Sequence, residues 1–325
     1  MTREPTNVVL DCDTGTDDAV AIMLAALSSD IRLLGVTTVN GNVPVDVVTE
    51  NTLRVLAHIE RTDVPVFRGA AHPLRRDDFP IPRDGNTTFE MHGTYLALPP
   101  SDLQPQPENA TDYLLRTARS NRNSGHELTL VATGPLTNIA ACIEQDSDFT
   151  GGVDHLVVMG GGHAIGNVTP SAEFNFWADP DAAKIVVGAG FNDLVIVPLD
   201  ATHQALVSLT DCAALRALQT PAGEATAAFI EQRIRAHDTG QPMERPGTAP
   251  VHDALCVALL IDANVVELAE LHVDVETDGD LTVGRSVIDV HHRSGKPANA
   301  RVAMAASPER FVSILLNSFA SHETA

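Results

Sequence analysis

Apolar positions along the chain alternate between short continuous runs and longer stretches at helical spacing. Residues 8–10, Val-Val-Leu, read as a short buried strand, and Ala19, Val20, Ile22, Met23, Ala26 and Leu27 read as one apolar side of a helix. The alternation continues: 32–39 predicts a strand, Asn40-Gly41-Asn42 a turn, 44–59 a helix and 64–67 a short strand. Farther on, 127–132, 154–159 and 194–197 predict strands, while 109–122, 136–144, 180–189, 221–237 and 251–262 predict helices. Residues 68–108, rich in Pro, Gly, Asp and Arg, predict a long surface excursion, and 239–250 a Pro/Gly-rich break. From Leu271 the chain alternates as strands, His291 and His292 included, before a last helix from Pro308.

Strand following helix in this way implies an α/β fold: one open, mainly parallel sheet with helices on both faces, a Rossmann-like core with right-handed crossovers, spanning 1–325 as a single domain. Ligands of such sheets bind outside the carboxyl ends of the strands. The polar residues that follow each strand are therefore the ones to collect.

The first such turn is the most informative. Asp11, Asp13, Asp17 and Asp18 place four carboxylates within eight residues between the first strand and the first helix. Such a cluster repels itself unless something positive holds it. Gly15 suits the turn, and Asp17 and Asp18 fall in the first helical turn, where free N–H groups and the helix dipole favour negative charge. A hard divalent cation, Ca²⁺ or Mg²⁺, is the natural counter-charge for oxygen ligands. Simple helix capping accounts for one acid but not for four. Asp13-Thr14-Gly15 matches the aspartic-protease tripeptide, but that chemistry needs a second such carboxylate and no second Asp-Thr-Gly exists. Asp11-Cys12-Asp13 at a strand end also resembles the nucleophile and acid of haloacid-dehalogenase-like phosphatases, and this is the serious rival.

Composition narrows the classes. With a net charge of −22, a pI of about 4.8 and only Lys184 and Lys296 as lysines, a nucleic-acid surface is not expected. Cys12, Cys142, Cys212 and Cys256 stand far apart without metal-ligand spacing and read as reduced, buried thiols. The N-terminal residues lack an apolar signal region and no apolar run approaches 18 residues, so no membrane partner and a cytoplasmic location are expected.

Seven segments then fall into one register: residues 10–22 around the acidic turn, Thr37-Thr-Val-Asn-Gly-Asn42, Thr133-Gly-Pro-Leu-Thr-Asn-Ile-Ala140, Met159-Gly-Gly-Gly162, Glu173-Phe-Asn175, Asp179-Pro-Asp-Ala-Ala183 and Val251-His-Asp253. With these the chain resembles the nucleoside hydrolases, the inosine-uridine type in particular. The resemblance implies Ca²⁺ held by Asp13, Asp18, Asp253 and the main-chain carbonyl of Thr133, with Asp13 also taking the proton from the attacking water. It implies that Asp17, Asn42, Asn167, Glu173 and Asn175 meet the ribose or orient the nucleophile, with Asn167 and Glu173 near the 5′-hydroxyl. His252 is the candidate for activating the leaving base, and His92 a further residue of the pocket. The implied activity is hydrolysis of the N-glycosidic bond of a ribonucleoside by a dimer or tetramer.

Departures are also visible. Thr14 replaces the usual Pro of the first turn, and the segment 233–250, where relatives carry aromatic residues to stack on the base, offers Arg233, Arg235, His237, Glu244 and Arg245 instead. The preferred base is left open. Trp177 is expected in the core, and His291 and His292 to be structural. Against the hydrolase stand the phosphatase, which needs Lys184 or Lys296 near Asp11 and Asp13, and a non-catalytic ribose or nucleoside sensor, which loss of a metal ligand would mark. Asp13, Asp18 and Asp253 are all present.

Overall fold

A computed structural model describes residues 4–77 and 92–320; the middle of the predicted excursion, 78–91, lies outside the described residues. In chain order the elements are β1 (Thr6–Cys12), α1 (Thr16–Leu27), β2 (Ile31–Thr38), α2 (Val45–His58), β3 (Val66–Arg68), α3 (Ala110–Ser124), β4 (Thr129–Ala132), α4 (Thr137–Gln145) and β5 (His155–Met159). There follow α5 (Phe174–Ala178), α6 (Pro180–Gly188), β6 (Leu194–Val197), α7 (Leu199–Thr202), β7 (Leu206–Ser208), α8 (Leu209–Ala217), α9 (Pro221–Gly240), β8 (Thr248–Pro250) and α10 (His252–Ile261). The chain closes with β9 (Val266–Leu271), β10 (Val273–Val275), β11 (Ser286–Ile288), β12 (Ala300–Ala306) and α11 (Pro308–Phe319).

An eight-stranded sheet in the order β3-β2-β1-β4-β5-β6-β12-β9 forms the centre. Its pairs are parallel except the last, β12 with β9, which is antiparallel. The strand order reverses between β1 and β4, the point at which open sheets of this kind bind ligands in a crevice.

Alternation within β1 sorts the two cores. Val8, Leu10 and Cys12 face the helices α1, α2, α9, α10 and α11, while Val9 faces α3, α4 and α6. Helix α1 was expected to bury one side; Thr16 to Ala26 are all buried, because α2, α9, α10 and α11 surround it. Helix starts agree with the sequence where a cap marks them. Asn109, Thr220 and Ser307 each accept a backbone N–H of the first turn, and Pro follows Thr220 and Ser307 directly.

Several expectations are corrected. His291 and His292 lie in a turn after β11, not in a strand, because Asp289 accepts the backbone N–H groups of Arg293 and Ser294 at 2.7 Å each and curls the chain. The C-terminal strands begin at Val266 rather than Leu271. Residues 92–108 do run mostly over the surface, tied down where Leu96 donates to Asn51 Oδ1 at 3.0 Å and Gln106 to the Val66 carbonyl at 2.7 Å. Trp177 is buried and the four cysteines are free and buried, as expected. No described helix is long and apolar enough to cross a membrane.

Candidate active site

The acidic turn opens at the carboxyl end of β1. Asp18 caps its own helix, its Oδ2 accepting the Gly15 N–H at 2.8 Å, while its Oδ1 accepts the Thr133 hydroxyl at 2.8 Å from the turn after β4. Gly15 has φ −98, so its requirement is room rather than left-handed backbone: a Cβ there would run into the His92 ring. Asp13 Oδ2 accepts the Asn42 backbone N–H at 2.7 Å, and Gly41 leaves that carboxylate room, since a Cβ there would run into it. Thr14, in place of Pro, ties the turn to α2 through a 2.7 Å bond between its hydroxyl and that of Thr52.

Helix α10 delivers Asp253 to the same place. Asp17, Asp18 and Asp253 are all buried and offer oxygens within 4.8 Å of one another, a set that can hold a metal ion. The sequence placed Asp13 rather than Asp17 with Asp18 and Asp253; Asp13 stands beside the group, with Asp18 as its strongest repelling neighbour. Burial pushes Asp18 up to about 7, with Asp17 adding repulsion against the hydrogen bonds from Gly15 and Thr133. Burial first and neighbouring carboxylates second hold Asp13 and Asp253 well above the usual carboxylate range. Among the described residues one guanidinium, that of Arg233, is set against these four acids, 2.9 Å from Asp17 Oδ1. The donor set therefore fits a hard divalent cation: oxygens only, buried and under-compensated.

Asp11 is separated from this group by strand alternation. It shares the face of Val9, where Thr37 and Asn138 (2.8 Å) donate to its Oδ1, while Oδ2 is buried without a partner. Burial raises its carboxyl to about 6. Lys184 and Lys296 both pair with Asp274 at 3.6 Å and not with the acidic turn. The phosphatase arrangement is therefore not assembled.

The expected sugar-facing residues converge on the same rim, though some are already engaged. Asn42 Nδ2 reaches the Asp13 carbonyl at 3.3 Å and Asp18 Oδ2 at 3.4 Å. Asn175 donates to the Thr133 carbonyl at 2.8 Å and the Met159 carbonyl at 3.2 Å. Glu173 caps α5, accepting the N–H groups of Asn175 (2.8 Å) and Phe176 (3.2 Å), and also that of Gly161 at 2.9 Å. Its carboxyl is nevertheless pushed up to about 7 by burial. Asn167 Oδ1 accepts the Phe174 N–H at 2.9 Å, which seats the loop over α5.

Three histidines, His92, His237 and His252, gather around Arg233. His252 Nδ1 lies 2.7 Å from Thr202 Oγ1, and its ring centroid is 5.6 Å from that of His203. His92 Nδ1 accepts the Thr16 N–H at 3.1 Å, which leaves the proton of the neutral ring on Nε2. His237 Nδ1 lies 3.0 Å from the Gln241 carbonyl and so donates to it, while Nε2 is buried without a hydrogen-bond partner. Burial, aided by Arg233, lowers His92 and His237 to about 4 and His252 well below the usual histidine range. All three are therefore neutral at pH 7. Arg233, Thr202, His203 and His237 received no role from the sequence. Arg233 and His237 carried one available signal: they stand four apart on α9, within the apolar face of Phe229, Ile230 and Ile234.

The family model described as inosine-uridine preferring nucleoside hydrolase matches residues 8–313. The pyrimidine-specific ribonucleoside hydrolase RihA of Shewanella oneidensis is 36% identical over 315 residues, 97% of this chain and 96% of the relative. RihA of Salmonella arizonae is 35% identical over 310 residues, 95% and 96% of the two chains. Among solved structures, the purine-preferring ribonucleoside hydrolase from Gardnerella vaginalis superposes with a TM-score of 0.86 at 29% identity, covering 97% of this chain and 98% of that one. The plant nucleoside hydrolase PpNRh1 gives 0.86 at 29%, covering 98% and 100%.

Proposed function

The chain belongs to the inosine-uridine preferring nucleoside hydrolases, N-glycosyl hydrolases of ribonucleosides, and on that premise we propose a calcium-dependent hydrolysis in which Asp13 activates the water. The observation that carries this reading is the burial of Asp13, Asp17, Asp18 and Asp253 together at the point where the strand order reverses. Asp13, Asp18, Asp253 and the Thr133 carbonyl would hold the ion, and a set of several protein oxygens suits Ca²⁺ better than Mg²⁺, which usually keeps most of its waters. When bound, the cation supplies Lewis-acid polarisation of an oxygen ligand and charge compensation for the acids.

Asp13 accepts one proton of the water whose oxygen bonds to C1′. Its carboxylate is pinned at Oδ2 by Asn42, and burial and Asp18 raise its proton affinity, which strengthens it as a base. As the bond from C1′ to the base nitrogen breaks, positive charge develops on the sugar, and the surrounding carboxylates stabilise it. Asp17 and the Asn175 side-chain carbonyl present acceptors to the ribose hydroxyls. Asn42 orients Asp13, and Asn167 and Glu173 shape the 5′ end of the site. His252, held by Thr202, donates a hydrogen bond to the departing base, and His92 lines the same pocket. The departing base nitrogen gains a proton, balanced by the one that Asp13 takes from water, and the products are ribose and the free base.

Pyrimidine ribonucleosides are the substrates this reading favours. Relatives at 36% identity are named pyrimidine-specific, and 233–250 holds no aromatic residue to stack on a purine. The whole chain would act as one cytoplasmic domain, assembled as a homo-oligomer. The test is incubation of the purified protein with uridine, cytidine, inosine, adenosine and a phosphomonoester, with Ca²⁺ or with chelator. Free base and reducing sugar from the pyrimidine ribosides, lost in chelator, are expected. Phosphate release, or product formation indifferent to chelator, would overturn the reading.

A further inference from the structure

The geometry points to a role for Arg233: it is a positioning residue that holds Asp17 back from the cation and reserves it for the sugar. This rests on the calcium-dependent reading of the site. Arg233 is 1% exposed, its Nε donates to the Pro250 carbonyl at 2.9 Å and its Nη1 to Thr16 Oγ1 at 3.3 Å. One guanidinium thus bridges the first turn of α1 and the strand that leads into His252 and Asp253. The same Nη1 stands 2.9 Å from Asp17 Oδ1.

A site built only to attract a cation has no use for a buried positive charge beside its acids, since that charge weakens cation binding. Asp17 is close enough to be recruited, its oxygen lying within 4.8 Å of those of Asp18 and Asp253. Arg233 offsets it. The contact is ionic without a directed hydrogen bond, because Asp17 Oδ1 is buried with no hydrogen-bond partner. The charge of Asp17 is thereby balanced while its lone pair stays open to a donor, which a ribose hydroxyl supplies. His92 supplies neither charge nor donor to Asp17: the ring is neutral and its Nδ1, 3.7 Å from Asp17 Oδ1, is the unprotonated nitrogen, so the balancing charge is that of Arg233. Asp18 and Asp253 are left to the ion and Asp17 to the substrate.

The test uses the full chain. Ca²⁺ affinity is measured by titration calorimetry without nucleoside, and KM and kcat with uridine, for Arg233→Met, Arg233→Lys and the double variant Arg233→Met/Asp17→Asn. Arg233→Met is expected to bind Ca²⁺ about tenfold tighter, since a repelling charge is gone and Asp17 is released to the ion. Its KM should rise by about tenfold, as expected when a substrate contact is lost, with a smaller change in kcat. Arg233→Lys should fall between Met and the unaltered protein. The double variant removes both charges and should keep Ca²⁺ affinity within about threefold while KM stays high. Weaker or unchanged Ca²⁺ binding in Arg233→Met would reduce Arg233 to a scaffold residue and overturn the proposal. Should that variant not fold, a loss of Ca²⁺ affinity greater than about tenfold in the double variant would overturn it equally, by making Asp17 a ligand. Failure of the unaltered protein to bind Ca²⁺ would overturn the calcium reading itself, and this proposal with it.

Discussion

The Thr133 hydroxyl donates a 2.8 Å hydrogen bond to Asp18 Oδ1, joining the turn after β4 to the first helical turn after β1 across the crevice where the strand order reverses. Both residues are buried, so neither group has water as a substitute. Replacing Thr133 by Val removes the donor and leaves a buried carboxylate oxygen short of a partner, at a cost of about 1–3 kcal/mol. Thr133→Val should therefore lower both the Tm of the metal-free protein and its Ca²⁺ affinity, while Thr133→Ser should restore most of each. Unaltered Ca²⁺ affinity in the Val variant would show that the bond plays no part in seating Asp18.

Asp11 and Asp13 stand two residues apart yet should respond differently. Asp11→Asn keeps an acceptor for Thr37 and Asn138 and removes a charge that lacks a partner at Oδ2, so kcat should stay within about tenfold of the unaltered protein. Asp13→Asn removes the proposed base and should lower kcat by about 10²–10⁴ while nucleoside binding partly survives. Steady-state kinetics and equilibrium dialysis separate the two. Equal losses in both variants would return Asp11 to the chemistry.

His252 should matter only when the leaving group needs help. His252→Gln is expected to lower kcat for uridine by about 10²-fold or more, and to spare a 4-nitrophenyl riboside, whose phenolate departs without a proton. Losses of equal size on both substrates would place His252 in sugar or cation binding instead.

The pH dependence follows from the buried groups, taken with their signs. Asp18 and Glu173 are raised to about 7 in the fold, so the stability they contribute is present at low pH and lost as pH rises through about 7. His92 and His237 are lowered to about 4, so their effect runs the other way but is complete once pH exceeds the ordinary value of 6.5. Between about pH 6.5 and 8 the carboxylates act alone, and the Tm of the chelated protein should fall. Ca²⁺ should remove that fall, release protons on binding near pH 7, and bind more weakly as pH drops below 7. Calorimetry in two buffers of different ionisation enthalpy measures the released protons. Binding that releases none would contradict the raised value at Asp18.

Local pattern made much of this protein legible from its sequence. Apolar periodicity located the parallel strands and most of the helices, because this signal acts over a few residues. The acidic turn was legible for the same reason: four carboxylates between a strand and a helix demand a counter-charge wherever they lie. Short elements such as α5, α7, β7 and β8 escaped, since a few residues carry no clear period. Which acid belongs to which task was decided by packing across long separations. Thr133 meets Asp18 across 115 residues, Asn138 meets Asp11 across 127, and Arg233 meets Thr16 across 217. Side-chain chemistry reveals that such groups need partners, but only the fold brings the partners within hydrogen-bonding distance. It turns Asp11 toward α4 and away from the crevice, and it sets a buried guanidinium beside Asp17, where α9 crosses the first turn of α1.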